Sequence, residues 1–232
     1  MTSRDEFGDL SNSFNYMTQA LWKNSIMQKS FGRYVSPEVV DMIMANPEES
    51  WLKGKRSEAT ILFSDIRGFT AYSEGREPEE VVEALNEYFG IATEFILEYG
   101  GYVDKFIGDA IMATFVDAND AVLASEKILN ELSKLNKNRE KSGKEKISLH
   151  IGVNSGTVIQ AEIGTSERKD LTVLGDTVNI AAHIQQFAHP DSIFISESTF
   201  SRLKDSSKFT FYEKLAVKGR NESISVFKST IV

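Results

Sequence analysis

The sequence predicts an α+β protein: a βαββαβ sandwich with a C-terminal extension, preceded by an N-terminal coiled-coil helix. Two observations support this prediction. Short apolar runs typical of strands alternate with longer segments of helical periodicity in the order βαββαβ. Apolar side chains in the first 21 residues instead repeat at alternating spacings of three and four, which is the heptad pattern of a coiled coil.

The N-terminal segment places Phe7, Leu10, Phe14, Met17 and Leu21 on one helical stripe. Such a stripe favours a parallel coiled coil that needs a second chain. The alternative interpretation is an amphipathic helix folded onto the rest of the chain.

The same segment carries an acidic-glycine step, DEFGDL, followed by FN and M. This pattern resembles the end of a HAMP signalling module, in which the second helix opens in this way. HAMP modules follow a transmembrane helix, so the resemblance implies an upstream transmembrane sensor and a position at the cytoplasmic face of the membrane. We therefore expect a signalling helix and linker over residues 1–32 and a separate domain over residues 33–232.

Each element of the second domain has its own signal. The apolar run ATILFSD is the first strand, and the next segment has an apolar helical face that ends at a glycine pair. The other predicted elements follow in chain order: a hairpin over 102–115 around Gly108 and Asp109, a helix over 118–140, a second strand pair over 147–164 around Asn154, Ser155 and Gly156, a strand over 171–174 and a helix over 175–188.

Composition excludes several classes of function. The net charge of −8 argues against a nucleic-acid partner, because phosphate binding requires a basic surface. The absence of cysteine removes disulfides, thiolate metal sites and cysteine nucleophiles. No apolar run reaches the roughly 18 residues that a membrane helix requires, so we expect this fragment to be soluble and to contain no membrane segment.

Two carboxylates stand where the predicted sheet ends. Asp65 closes the first apolar strand, and Asp109 lies at the hairpin turn that this strand neighbours. Alone, each is better explained as a cap or turn residue. Together, without a nearby cation, they would repel each other unless a metal ion joined them. Oxygen ligands without Cys or His select a hard ion, Mg²⁺ or Mn²⁺, which completes its shell with substrate phosphates.

The turn after Asp65 supports this interpretation. Backbone N–H groups from Ile66 through Arg67, Gly68, Phe69 and Thr70 lead into a helix, an arrangement that binds phosphate. Gly68 is equally explained as a plain turn glycine. A metal pair beside a phosphate-binding turn indicates nucleoside triphosphate chemistry.

Three strings, FSDIRGFT, KFIGDAIMATF and TVLGDTVNIAAH, occur here in an order and spacing that resemble the catalytic domain of class III nucleotidyl cyclases of bacterial adenylate cyclase type, over about residues 33–230. The resemblance implies a ferredoxin-like sandwich that pairs head to tail with a second domain, each active site taking residues from both. It also implies that two divalent cations are held by Asp65, Asp109 and the backbone carbonyl of Ile66.

Further roles follow from the resemblance alone. Lys105 and Thr172 match the pair that recognises adenine from the partner domain, Asn179 matches the asparagine that positions the ribose, and Lys218 matches the lysine that neutralises the triphosphate. The competing interpretations are an edge lysine, an ordinary strand residue, a helix cap and a solvated turn lysine.

Two positions depart from the family pattern. His183 stands where the family has the arginine that stabilises charge on the transferring phosphate, and His150 stands where a basic residue often contacts phosphate. Arginine is permanently charged, whereas histidine is mostly neutral near pH 7, so the substitution at 183 affects catalytic rate more than binding. His150 is also explained as a packed strand residue, which we favour.

The sequence therefore predicts a homodimeric adenylate cyclase that converts ATP to cyclic AMP and pyrophosphate, with the coiled coil as its signal input. One alternative is a diguanylate cyclase or polymerase-palm relative, which places carboxylates on a similar hairpin but lacks the string GDTVNIAA. The other is a pseudo-cyclase of low or no activity, which His183 favours.

Overall fold

The computed structural model describes residues 6–31, 54–165, 169–216 and 223–230. The chain divides into two compact units between Ser50 and Trp51. The predicted domain boundary at residues 32 and 33 lies outside the described residues and stays a prediction. None of the described helices is both long and apolar enough to cross a membrane.

The first unit contains one long helix, α1, over Glu6–Phe31. This confirms the predicted helix. Its apolar side chains are exposed: Leu10 is 67% exposed, Phe14 62% and Leu21 62%. The side chain of Phe7 lies outside the described part of the chain. The pairing of this stripe with a second chain stays a prediction.

The second unit is a mixed sheet with helices on both faces. Its helices and strands follow in chain order: β1 Lys55–Ile66, α2 Phe69–Ser73, α3 Pro78–Glu98, β2 Tyr102–Ile107, β3 Ala110–Phe115, α4 Ala118–Lys141, β4 Leu149–Gly164, β5 Lys169–Leu174, α5 Asp176–Phe187, β6 Ser192–Ser196, α6 Glu197–Phe200, β7 Phe209–Leu215 and β8 Ile224–Ser229.

The sheet has the strand order β2-β3-β1-β4-β6-β8-β7, with β5 paired to β4. Strand β1 is central and antiparallel to both β3 and β4. The predicted βαββαβ order is confirmed as β1, α3, β2, β3, α4 and β4, and β5 to β8 form the C-terminal extension.

The two faces of β1 pack against different helices. Leu62 and Ile66 belong to the larger core, with residues of α3 and α4. Ala59, Ile61 and Phe63 point to the opposite face, where they pack with Ala181 of α5. The two helices of the βαββαβ core thus cover one face, as predicted, while α5 covers the other.

One sequence prediction is wrong. The segment around Asn154, Ser155 and Gly156 is not a turn between two strands but the middle of β4, a continuous strand of 16 residues. The polar side chains are buried and find distant partners: Asn154 Nδ2 donates to the Thr177 carbonyl at 2.8 Å, and the Ser155 and Thr60 hydroxyls are 2.8 Å apart. Because these hydrogen bonds satisfy the polar side chains inside the protein, the segment can stay in a buried strand and need not form a turn at the surface.

Candidate active site

The two predicted carboxylates are brought together at the end of the central strands. Ser64 of β1 pairs with Ile111 of β3. Extending this antiparallel register by two residues places Ile66 opposite Asp109. Asp109 follows Gly108, whose φ of 65° suits the tight turn between β2 and β3. Asp65 lies opposite His150 of β4. The sequence prediction that these two acids are neighbours is confirmed.

Asp65 and Asp109 repel each other, because no positively charged side chain lies between them among the described residues. Burial, and then hydrogen bonding and repulsion from Asp65, raise the pKa of Asp109 to about 7, while the backbone amide of Ile66 acts in the opposite direction. Among the described residues, no ion pair involves Asp65 or Asp109.

Asp65 has an oxygen with no protein partner. Its Oδ1 is buried and makes no hydrogen bond, and its Oδ2 accepts a long hydrogen bond of 3.4 Å from Gln185 Nε2. A buried carboxylate oxygen without a donor is costly, and a divalent cation would satisfy it. The residues therefore fit a Mg²⁺ or Mn²⁺ site formed by Asp65, Asp109 and the Ile66 carbonyl.

In the part of the chain that the structure describes, no third acidic or histidine side chain joins the carboxylate pair to form a metal-binding cluster. No group of three or more His, Cys, Asp or Glu side chains there could hold a metal ion. Two carboxylates leave most of a six-coordinate Mg²⁺ shell open, which is the usual situation where substrate phosphates supply the remaining ligands.

The turn after β1 keeps its shape through Gly68. This residue has φ 69° and precedes the five-residue helix α2. Arg67 and Thr70 are exposed, and the Arg67 amide donates to the Ser148 carbonyl at 2.8 Å. The ring of Phe69 packs on the core and stacks on Tyr72, so only its backbone is available to a substrate.

The predicted base-recognition pair is also brought together, by a residue that the sequence interpretation missed. Thr172 of β5 donates its hydroxyl proton to Asp104 Oδ1 at 2.8 Å, and Lys105 Nζ lies 3.4 Å from the same oxygen. The Asp104 side chain is only 1% exposed, whereas that of Lys105 is 37% exposed. The sequence shows an acid next to a strand lysine, but strand alternation places the two on opposite faces and so gave no sign of this contact.

Helix α5 carries Asn179 and His183 on its outer side. Asn179 is exposed and His183 is half-buried, one turn apart. Ala181 and Gln185 lie on the buried side, against β1 and the carboxylate Asp65. In one chain, therefore, the asparagine and histidine project away from Asp65, the carboxylate that Gln185 of α5 contacts.

A glycine in β4 allows this close packing of α5. A Cβ atom at Gly152 would lie 2.2 Å from the Gln185 backbone nitrogen and 2.7 Å from the Ala181 carbonyl oxygen. Thr177 further anchors the helix, since its hydroxyl donates to the Thr157 carbonyl at 2.7 Å. The position of Asn179 and His183 is thus fixed by packing and by backbone hydrogen bonds.

His150 lies beside Arg67 at the same end of the sheet. Burial, and then the positive charge of Arg67, lower the pKa of His150, and its Nε2 is buried without a hydrogen-bond partner. A neutral, packed imidazole agrees with the interpretation that we favoured from the sequence. Lys218 lies outside the described residues, and its role stays a prediction.

Comparison with known proteins agrees with this architecture. The family model described as the adenylate and guanylate cyclase catalytic domain matches residues 53–229. An adenylate cyclase of Anabaena cylindrica is 37% identical over 241 residues, which cover 97% of this chain but 48% of that protein. The chain thus spans about half the length of this curated relative.

Solved structures of both an adenylyl cyclase and a guanylyl cyclase are similar to this chain. The adenylyl cyclase CyaB from P. aeruginosa is 30% identical with a TM-score of 0.72, over 78% of this chain and 97% of that one. The guanylyl cyclase Cya2 is 33% identical with a TM-score of 0.71, over 77% of this chain and 94% of that one. The chain belongs to the class III nucleotidyl cyclases, as a member of the adenylate and guanylate cyclase catalytic domain family.

Proposed function

We propose that this chain is an adenylate cyclase that converts ATP to 3′,5′-cyclic AMP and pyrophosphate. The observation that carries the proposal is the half-buried Asp65–Asp109 pair, which has a buried oxygen without a hydrogen bond and no cationic partner among the described residues. The similar structures include both adenylyl and guanylyl cyclases and so do not decide which base is used. The choice of ATP over GTP therefore rests on Lys105 and Thr172.

The reaction is an in-line substitution at the α-phosphorus. The ribose 3′-oxygen forms a bond to this phosphorus, the bond to the bridging oxygen breaks, pyrophosphate leaves, and the 3′-hydroxyl proton passes to solvent. Two Mg²⁺ or Mn²⁺ ions, when bound, lower the pKa of the 3′-hydroxyl and neutralise phosphate charge. Asp65, Asp109 and the Ile66 carbonyl hold them.

The remaining residues bind and orient the nucleotide. The turn from Arg67 to Thr70 receives the phosphates, Asn179 positions the ribose, and Lys218 pairs with the triphosphate. His183 offers the α-phosphate a hydrogen bond without the permanent charge of an arginine. Lys105 and Thr172 hold the adenine.

Each site is proposed to form between two copies of the chain. Asn179 and His183 project from the side of α5 opposite the Asp65 carboxylate that its Gln185 contacts, so one chain does not direct both sets at one substrate. A head-to-tail homodimer places the carboxylates of one protomer opposite the ribose and base residues of its partner, and it forms two equivalent sites.

The N-terminal helix is proposed as the signal input of a membrane receptor. Its exposed stripe of Leu10, Phe14, Met17 and Leu21 supports a coiled coil between protomers. A change in this coiled coil would alter how the two catalytic domains fit together.

The purified chain with ATP tests the proposal directly. We expect equal amounts of cyclic AMP and pyrophosphate in Mg²⁺ or Mn²⁺, with slower turnover than an arginine at position 183 would give. Formation of cyclic GMP from GTP at the same or higher efficiency would contradict the assignment of ATP. No cyclic nucleotide with either metal would favour the pseudo-cyclase.

His183 distinguishes a slow enzyme from an inactive one. His183→Arg should raise kcat about 30- to 1000-fold, since a charge-assisted bidentate contact supplies roughly 2–4 kcal/mol in the transition state. KM should change little, because this charge acts mainly as the transition state forms. Gln186→Arg adds the same charge at an exposed position three residues later and is the matched control. An equal gain from both variants would show that position 183 does not contact the phosphate.

A further inference from the structure

Asp104 is buried at an irregularity of the edge strand β2. The register between β2 and β3 shifts between Val103 and Lys105, so Asp104 is the extra residue of a β-bulge. In a regular strand, Asp104 and Lys105 would point to opposite faces of the sheet. At the bulge they converge, and Lys105 Nζ lies 3.4 Å from Asp104 Oδ1.

Three donors surround this carboxylate. The Thr172 hydroxyl donates to Oδ1 at 2.8 Å, the Lys105 ammonium lies near the same oxygen, and the backbone amide of Val173 adds a further hydrogen bond. Because all three neighbouring groups are hydrogen-bond donors, the Asp104 carboxylate acts as the acceptor for each of them. The direction of the Thr172 hydrogen bond is therefore fixed, although a hydroxyl can in general either donate or accept.

This direction decides what Thr172 can offer to a ligand. A hydroxyl has one proton and two lone pairs, so a threonine whose proton is held by Asp104 presents only lone pairs outward. Lys105 presents only N–H donors. The pair thus offers one donor and one acceptor, which match N1 and the 6-amino group of adenine. Guanine and hypoxanthine have the opposite pattern, an N1–H and a 6-carbonyl.

We propose that Asp104 is a positioning residue that sets base selectivity: it takes the hydroxyl proton of Thr172 and holds Lys105 beside it, so that the site accepts a 6-amino purine and rejects a 6-oxo purine. This inference rests on the proposed cyclase function and adds to it the residue that makes an otherwise ambivalent threonine selective. Lys105 and Thr172 contact the base, and Asp104 acts through them.

The test compares ATP with inosine triphosphate, which has a 6-oxo group but no 2-amino group, so that only the N1 and 6 positions differ. Asp104→Leu removes the acceptor while keeping the same branched shape with a somewhat larger volume, and it frees the Thr172 proton to donate to a 6-carbonyl. The ratio of kcat/KM for ATP to that for inosine triphosphate should fall about tenfold, the value of one hydrogen bond of about 1.4 kcal/mol.

Matched variants separate positioning from a merely structural effect. Thr172→Ser keeps a hydroxyl for Asp104 and should keep the ATP preference. In a Thr172→Val background, Asp104→Leu should lower the preference by less than it does in the wild type, because the hydroxyl on which Asp104 acts is absent and only its contact with Lys105 remains. If Asp104→Leu melts well below the wild type, Asp104→Ala removes the same acceptor in a smaller side chain. An unchanged preference in folded Asp104 variants overturns the inference while leaving the cyclase proposal intact.

Failure of the cyclase proposal is recognised separately. If the wild type forms no cyclic nucleotide, equilibrium binding of ATP and inosine triphosphate to the same variants provides the same comparison. The inference then predicts tighter binding of ATP to the wild type and loss of that difference in Asp104→Leu. Equal wild-type affinities would overturn it.

Discussion

Two carboxylate clusters of the catalytic unit use the same side chain in opposite ways. At the end of β1, Asp65 and Asp109 lie together, and one Asp65 oxygen is buried without a donor. At the bulge of β2, the Asp104 side chain is almost fully buried, but it accepts a hydrogen bond from the Thr172 hydroxyl at 2.8 Å and lies beside the Lys105 ammonium. A carboxylate that lacks hydrogen-bond donors can bind a cation, as we propose for Asp65, whereas one that is surrounded by donors acts as a fixed acceptor, as we propose for Asp104.

The largest expected effect comes from variants that remove one carboxylate of the proposed cation site. Asp65→Asn or Asp109→Asn should reduce cyclase activity by more than tenfold, at least about 1.4 kcal/mol of barrier. Because repulsion within the pair is relieved, Tm should stay the same or rise. Steady-state rates and thermal melts measure the two effects.

Asp205→Asn, at an exposed turn, removes the same charge and should change neither property. Activity above a tenth of the wild-type value in either pair variant would contradict the two-metal assignment.

The next test asks whether the carboxylate pair and the outer side of α5 work in different chains. Asp65→Asn and Asn179→Ala should each be inactive alone, but mixed chains should recover activity, since one of the two sites in a heterodimer then has no defect. The cyclic AMP formed after mixing and re-equilibration is the measurement.

The matched control mixes Asp65→Asn with Asp109→Asn. Both changes fall in the metal-binding half, so every site keeps one defect and no recovery is expected. Equal behaviour of the two mixtures, with heterodimers demonstrated, would refute the shared site.

The smallest expected effect is a pH dependence of stability in the metal-free protein. The pKa of Asp109 is raised to about 7 in the fold, from about 3.8 when exposed. Between these values the unfolded chain loses a proton that the folded chain keeps, so this group's contribution to the free energy of unfolding falls as pH rises.

Melting with a chelator checks this sign. The Tm of Asp109→Asn relative to the wild type should increase between pH 5 and pH 8, and added Mg²⁺ should remove the difference by binding the ionised pair. A Tm difference that does not vary with pH would show that the pair carries no such penalty.

The carboxylate pair was predictable because its signals are local. Asp65 ends an apolar strand and Asp109 follows a turn glycine, and the βαββαβ order alone makes these strand ends neighbours. The helices α3, α4 and α5 were likewise predicted from their apolar periodicity.

What the sequence did not reveal depends on distant partners. Asn154 and Ser155 read as a turn because their hydrogen-bond partners, such as Thr177 and Thr199, lie 23 and 44 residues away. Asp104 was missed because strand alternation places it opposite Lys105, and only the bulge brings the two together. Gln185 was missed because a single amide in an apolar helical face gives no hint of the carboxylate beneath it.

The continuous strand β4 has a mechanical consequence. Near its start, His150 lies opposite Asp65 of β1 in the strand register, and toward its end Ala161 lies opposite Thr172 of β5. One uninterrupted strand thus joins the end of the sheet that carries Asp65 to the β4–β5 hairpin that carries Thr172, and α5 packs closely on it at Gly152. We expect a catalytic domain joined in this way to resist bending between these two places, so in the proposed homodimer a signal would act by turning one copy of the domain against the other.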